Sequence, residues 1–255
     1  VTAGDGISVL VPFRPDEEGR AATWAWLERY WRWSLPGAEL IVGTDDGKVF
    51  SKTWAVNSAA KQATGDVFVI MDADAYMDSR AITEAASACR AAKSWWMPYQ
   101  GFWRMRKDVS DRLLSTKAEQ PMQLELPPKP GDVQGGGSAW DHAYAARGRG
   151  ALCTVMPAEA FRTVGGMDPR FRGWGGEDTA FAAALDELWC RRSYADRYEA
   201  AHLWHSRIGE GTGASGRMWE GQTQPRSGRR LKNNYLRAVG NPRVMRSIVD
   251  EGLYG

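Results

Sequence analysis

Three short apolar runs, Ile7–Pro12, Glu39–Gly43 and Val67–Met71, alternate with two helical stretches, and this order constrains the fold more than any other feature of the chain. Ile7-Ser8-Val9-Leu10-Val11-Pro12 is apolar, rich in β-branched residues and ended by proline, the pattern of a buried strand that opens into a loop at its carboxyl end. Glu18 to Trp33 carries Trp24, Leu27 and Trp31 on one stripe before Pro36-Gly37, which predicts a helix. Lys52 to Ala63 predicts a second helix closed near Gly65, and Val-Phe-Val-Ile-Met over 67–71 a fully buried strand. Such a β-α-β-α-β alternation folds into a parallel, Rossmann-like sheet. Ligands of these sheets gather at the carboxyl ends of the strands. All three ends here are polar: Arg14, then Asp45 with Asp46, then Asp72 with Asp74.

Further along, Ala81 to Lys93 predicts a helix, Trp95 to Arg104 a strand, Pro157 to Val164 a short helix and Glu177 to Leu188 a longer one. Gln120 to Gly137, with its prolines and Gly135-Gly136-Gly137, reads as a long loop, and Gly209 to Gly216 as a lid. With 255 residues, 43% of them hydrophobic, the chain can bury one large core, and no repeat or linker divides it.

The formal charge of 33 − 31 = +2 is too small for the whole-molecule field to dictate a polyanionic partner. Cys89, Cys153 and Cys190 are odd in number and widely spaced, which argues against a disulfide framework or a zinc site and for a reducing compartment. The opening Val1-Thr2-Ala3-Gly4-Asp5 lacks a leader pattern, and no run approaches the ~20 apolar residues of a membrane span. The expectation is a cytoplasmic protein without a membrane partner; the sequence leaves its oligomeric state open. Among thirteen tryptophans, Trp24, Trp31 and Trp189 are expected in the core, while Trp95, Trp96, Trp103, Trp140 and Trp174 are left open between packing and ligand stacking.

Asp72 and Asp74 flank Ala73 just past a buried strand, so both can face one cleft, where hard carboxylate oxygens suit Mg²⁺ or Mn²⁺ shared with substrate phosphates. Two solvated loop aspartates are the plain alternative. His202 and His205 lie three residues apart in a strand-like hexapeptide, and an imidazole ligand favours Mn²⁺ over Mg²⁺. Asp178 follows Gly173-Trp174-Gly175-Gly176 at the start of a predicted helix, where the anion is stabilised and a general base for a hydroxyl is well placed. Helix capping accounts for Glu177 and Asp178 but not for the tryptophan and three glycines beside them.

Together these segments resemble the GT-A-fold glycosyltransferases, most closely the β1,4-galactosyltransferase-like group, over roughly Ile7 to Arg207. The resemblance implies an α/β fold, a Rossmann-like mixed sheet flanked by helices, in one domain. It implies a catalytic unit over 1–207, with a nucleotide-sugar half at about 1–105 and an acceptor half at about 140–207, followed by a lid and helical extension over 208–255. Pro12-Phe13-Arg14 looks like the group's nucleotide-contacting loop, and Phe50-Ser51-Lys52 with Asn57 resembles its Phe-Asn-Arg segment, with lysine in place of arginine. Asp72-Ala73-Asp74 matches its Asp-X-Asp motif, whose first acid faces the ribose and whose second binds the metal. Phe161 to Asp178 resembles its acceptor and base segment, and His205-Ser206-Arg207 its metal-ligand segment. His202 stands where the group carries a methionine ligand, so a two-histidine site is a departure of this chain.

By that similarity Asp178 is the base, Glu177 orients the acceptor, and Asp74, His205, His202 and Asp72 surround Mn²⁺ or Mg²⁺. Asp45 or Asp46 faces the nucleobase, Phe50 stacks on it, and Trp174 and Gly176 line the sugar. The implied reaction is a single displacement with inversion, from a nucleoside-diphosphate sugar to an acceptor hydroxyl. Arg226 to Arg246 is basic without an acidic residue and includes Tyr235; it reads as a solvated helix face or as a track for a nucleic-acid backbone. The specific acceptor it favours is a hydroxymethylated base in DNA, as certain bacteriophage enzymes use, in a host cytoplasm. Protein and saccharide acceptors stay open, as does a non-catalytic sugar-binding protein. A haloacid-dehalogenase-type phosphatase also places Asp-X-Asp after a strand, but wants Thr or Val two positions on, where this chain has Tyr76.

Overall fold

The computed structural model describes residues 2, 4–15, 20–47, 49–124, 140–146, 150–173, 175–205 and 226–254. The elements run β1 (Ile7–Pro12), α1 (Arg20–Ser34), β2 (Glu39–Gly43), α2 (Lys52–Ala60), β3 (Val67–Met71), β4 (Ala75–Met77) and α3 (Ser79–Ala92). They continue with β5 (Trp96–Met97), β6 (Gly101–Met105), α4 (Lys107–Leu114), β7 (Trp140–Ala146), β8 (Cys153–Pro157) and α5 (Ala158–Thr163). The last are α6 (Glu177–Leu188), β9 (Ser193–Tyr194), β10 (Glu199–His202), α7 (Arg226–Ala238) and α8 (Pro242–Tyr254).

Six strands form the main sheet in the order β2-β1-β3-β8-β5-β9. β1 pairs in parallel with β2 and β3, as the alternation of apolar runs requires. β1 and β3 are buried along their whole length, whereas β2 at the sheet edge is half-buried except at Gly43. β8 enters antiparallel to β3 and β5, so the sheet is mixed rather than parallel throughout. A second sheet has the order β4-β10-β6-β7.

The stretch Trp95 to Arg104 is not one strand. β5 belongs to the main sheet and β6 to the second, because Pro98 between them has no N–H for a ladder. Tyr99 there is fully buried and its hydroxyl donates to the carbonyl of Ala151, while Gln100 N–H donates to Tyr198 O at 2.7 Å. That corner sends the chain from one sheet into the other.

The core includes Trp24 and Trp31, as expected, and also Trp95 and Trp103, whose place the sequence left open. Trp189 is half-buried against it, and its indole N–H donates to the Lys93 carbonyl. Trp96 is half-buried. Helix α3 starts where Asp78 accepts the Arg80 N–H at 2.9 Å and ends at Lys93, whose left-handed φ of 49° stops further helical bonding. Helices α7 and α8 pack on each other and on α6, so the C-terminal extension is docked onto the rest. No helix among the described residues is long and apolar enough to cross a membrane. The loop expected over 120–137 falls outside the described residues beyond Leu124, and the lid expected over 209–216 lies wholly outside them.

Helix α2 crosses the end of β2 so closely that a Cβ on Gly43 would collide with the carbonyl of Ala55. Gly43→Ala is therefore expected to cost about 2 kcal/mol in urea unfolding, the range for forcing a methyl into a packed contact. Wild-type stability in that variant would show that α2 has room to shift.

Candidate active site

Lys52 opens α2 and turns its side chain inward, leaving 12% of it exposed. Its Nζ lies 2.5 Å from Asp72 Oδ1 and 2.8 Å from Asp178 Oδ1. One ammonium thus joins the carboxyl end of β3 to the first turn of α6. A buried charge is costly unless paired. Here burial acts against the charge, but Asp178, Asp72 and Glu177 outweigh it and hold Lys52 well above the usual lysine pKa.

The carboxyl groups respond to the same enclosure. Burial is the main cause that pushes Asp178 up to about 7; Lys52 pulls it down, and the like charges of Glu177 and Asp72 push it up again. Glu177 is raised as well, first by burial, and its Oε2 is enclosed without a hydrogen-bond partner. A carboxylate poised near neutrality at a helix N-terminus can take a proton from a hydroxyl and return it to water. The turn that delivers it needs glycine: Gly173, Gly175 and Gly176 have φ of 75°, 103° and 94°, where a side chain would be strained.

A second group forms beside the first. Past β3 the chain turns through Asp72, Ala73 and Asp74 into β4, and β10 pairs with β4 so that His202 stands opposite Ala75. Leu203 N–H donates to the Asp74 carbonyl at 2.8 Å. Asp74 Oδ2 is then 3.6 Å from His202 Nε2 and 3.4 Å from His205 Nε2, and the three ligand atoms lie within 4.8 Å of one another. Asp74 Oδ1 is buried without a hydrogen-bond partner. Burial opposes ionisation of Asp74, but His202, His205, Arg20 and Lys52 together hold its pKa below the usual value. One hard oxygen and two imidazoles, with a carboxylate oxygen still unmatched, fit a divalent first-row cation such as Mn²⁺. Asp72 stands outside this triad, with one oxygen on Lys52 and the other accepting the Leu152 N–H at 3.2 Å.

The remaining residues singled out in the sequence fall into two places. Arg14 donates to the carbonyls of Asp45 and Gly47 and to Asp45 Oδ2 at 3.2 Å, and its guanidinium lies 5.4 Å from the Phe50 ring centroid. Asp45 is buried and accepts the Ser51 N–H at 3.0 Å, which closes the loop into α2, whereas Asp46 is exposed. Pro12 and Phe13 are buried, the latter against Trp24. Ala73 is half-buried in the acidic turn. Asn57 joins α2 to the loop before α6: its amide donates to Met167 O at 2.7 Å and accepts the Met167 N–H at 3.0 Å. Trp174, Ser206 and Arg207 lie outside the described residues.

The structure adds contacts for three further residues, of which Arg20 carried no signal in the sequence while Trp204 and Asp168 lay in segments already singled out. Arg20 reaches the imidazole cluster, with Nη2 3.2 Å from His205 Nε2 and 3.9 Å from Asp74 Oδ2. Trp204 borders a hollow of about 420 Å³ lined also by Arg106, Lys107, Asp108 and Asp111, and its N–H donates to Ser110 Oγ at 2.9 Å. Asp168 holds the C-terminal helices, accepting from Arg170 at 2.7 Å and from the Tyr235 hydroxyl at 2.9 Å, while Arg170 also donates to Ile248 O. Apart from the local Asp168–Arg170 pair, these contacts join residues far apart in the chain, so no local spacing announces them.

Residues 136–202 match the family model described as the N-terminal domain of galactosyltransferase. A search of curated proteins returned no match. Among solved structures, the catalytic domain of Drosophila beta1,4-galactosyltransferase 7 in complex with xylobiose is similar at 14% identity and a TM-score of 0.42, over 75% of this chain and 65% of that one. A mutant of the same enzyme with manganese, UDP-Gal and xylobiose gives 12% identity and a TM-score of 0.45 over the same shares. GalNAc-T7 with UDP, GalNAc and Mn²⁺ gives 12% identity and a TM-score of 0.46, over 78% of this chain and 44% of that one. The chain therefore spans less than two thirds of the length of each.

Because the folded state raises the Asp178 pKa from 3.8 to about 7, folding favours its protonated form. That stabilisation is present below the unfolded value and disappears as pH rises through the folded one. The melting temperature of Asp178→Asn relative to wild type is expected to rise steadily from about pH 4 to pH 8. A melting difference that does not grow with pH would show that the carboxyl group is ionised at no cost.

Proposed function

We propose that this chain is a metal-dependent inverting glycosyltransferase of the GT-A type, which moves a sugar from a UDP-sugar to an acceptor hydroxyl. The observation that carries this reading is the Lys52 bridge, which joins the base candidate Asp178 to Asp72 of the acidic turn. The family match over 136–202 supports it, since that segment includes Glu177, Asp178 and His202.

In this reading Asp74, His202 and His205 hold the cation, for which Mn²⁺ is the candidate on ligand chemistry. When bound, it supplies the positive charge that a departing diphosphate needs. Asp178 Oδ removes the proton of the acceptor hydroxyl, and the oxygen attacks the anomeric carbon from the side opposite the diphosphate, which gives inversion in one displacement. The unmatched Glu177 Oε2 accepts a sugar hydroxyl, which would satisfy a buried atom that otherwise has no partner. Lys52 keeps Asp178 and Asp72 in place and lowers the cost of bringing an anionic donor near them. Arg14, Asp45 and Phe50 form the unit against which the nucleobase lies.

For the acceptor we infer a hydroxymethylated base in DNA, encountered in a cytoplasm. Support comes from α7 and α8, where Arg229, Arg230, Arg237 and Arg243 are exposed and Tyr235 ties α7 to Asp168 in the segment leading to the base. Backbone contacts of this kind make binding fall steeply with salt. Transfer to hydroxymethylated duplex, scored against a saccharide and a peptide in low and high salt, decides among the acceptors.

A panel of nucleotide sugars incubated with Mn²⁺ should show slow hydrolysis of one UDP-sugar, and no breakdown of any donor would leave a sugar-binding protein. Asp178→Asn is expected to bind UDP as wild type does while turnover falls ~10²–10⁴-fold, the usual worth of a general base. Asp74→Ala is expected to lose Mn²⁺-dependent UDP binding in calorimetry; unchanged affinity would remove Asp74 from the metal site.

A further inference from the structure

We propose that Arg20 is a built-in stand-in for the cation, closing the Asp74, His202 and His205 cluster in the metal-free protein and leaving when metal binds. The inference rests on the metal-binding part of the proposed function and not on the identity of donor or acceptor.

A guanidinium has only donors, so in its 3.2 Å contact with His205 Nε2 the ring nitrogen must be the acceptor. The Nε2 lone pair is then engaged by the guanidinium, the same lone pair that a metal ligand offers. The same lone pair cannot accept from Arg20 and coordinate a cation at once. Arg20 Nη2 also lies 3.9 Å from Asp74 Oδ2, the oxygen toward which both imidazole Nε2 atoms converge. A +1 guanidinium against the ligand face of a +2 ion is repelled as well as displaced.

Arg20 is the first residue of α1, and 38% of its side chain is exposed, so water is available to receive it. Release exchanges this partly exposed charge contact, weak in water, for hydration of the guanidinium. In the metal-free state the contact keeps His205 facing inward and offsets the charge of Asp74; in the loaded state the guanidinium is at the rim.

Metal-free wild type, Arg20→Met and Arg20→Lys are titrated with Mn²⁺ by calorimetry without nucleotide, and with Co²⁺ by visible absorption. Arg20→Met is expected to bind Mn²⁺ about fivefold more tightly, as loss of one competing charge contact implies. Arg20→Lys should stay near wild type, and the Co²⁺ bands should keep one shape in all three proteins. Unchanged or weaker Mn²⁺ binding by Arg20→Met overturns the inference, weaker binding being what simple structural damage would give. Normal Mn²⁺ affinity and donor hydrolysis in wild type alongside that result would leave the proposed function standing. Absence of Mn²⁺ binding by all three proteins would remove both.

Discussion

A single buried ammonium, Lys52, surrounded by Asp72, Asp178 and Glu177, is the contact on which the candidate site depends. Burial first, and then the like charges of Glu177 and Asp72, drive Asp178 toward neutrality even though it touches Lys52. Such an arrangement is poor for stability and suited to proton transfer, the combination expected where function sets the local chemistry. The ammonium can reach both partners only because α2 is pinned at its start. Ser51 and Thr53 hydroxyls donate to Phe171 O, and Asn57 grips Met167, so the helix that carries Lys52 is fastened to the segment that leads to Asp178.

The cluster of Asp74, His202 and His205 depends on a different feature, the divergence of two sheets. β3 stays in the main sheet while β4, three residues later, belongs to the second, and the acidic turn occupies the step between them. β10 then delivers His202 opposite Ala75 through ordinary antiparallel pairing. A one-residue slip of that pairing would turn His202 to the other face of the sheet. The backbone bond from Leu203 to Asp74 fixes the register at the point where it matters. Arg20 closes the cluster from α1, so three separate elements supply charge to one small volume.

The segment from Gly166 to Arg170, which by resemblance belongs to the acceptor region, also serves as the anchor of the C-terminal helices. Gly166 has a φ of 75°, and a Cβ there would meet Asn57 Oδ1 at 2.7 Å, so the turn is built around the Asn57 clamp. Asp168 then receives both Arg170 and Tyr235, and Arg170 reaches α8. Contacts of α7 and α8 thus reach the segment that leads to Asp178.

The main strands β1 and β3 and the helix α6 could be read from the chain directly, because a buried strand demands an unbroken apolar run and a helix start after Gly-Trp-Gly-Gly has few other readings, and the half-buried edge strand β2 followed from the alternation. Asp72, Asp74, His202, His205, Glu177 and Asp178 stood out for the same reason: each lies at the end of such an element, where side chains face a cleft. The sequence could not show the antiparallel insertion of β8 or the break at Pro98, since strand direction and sheet membership are decided by distant partners. Nor could it show that Lys52 bridges two acids or that Arg20 lies against His205, because charge pairing inside a core follows from how elements pack and leaves no periodic trace. Residue types and local order were determined by the sequence alone. Which charges are brought together, and therefore which carboxylate rises to about 7, was decided by the tertiary fold, where burial and neighbouring charge set the cost of each ion.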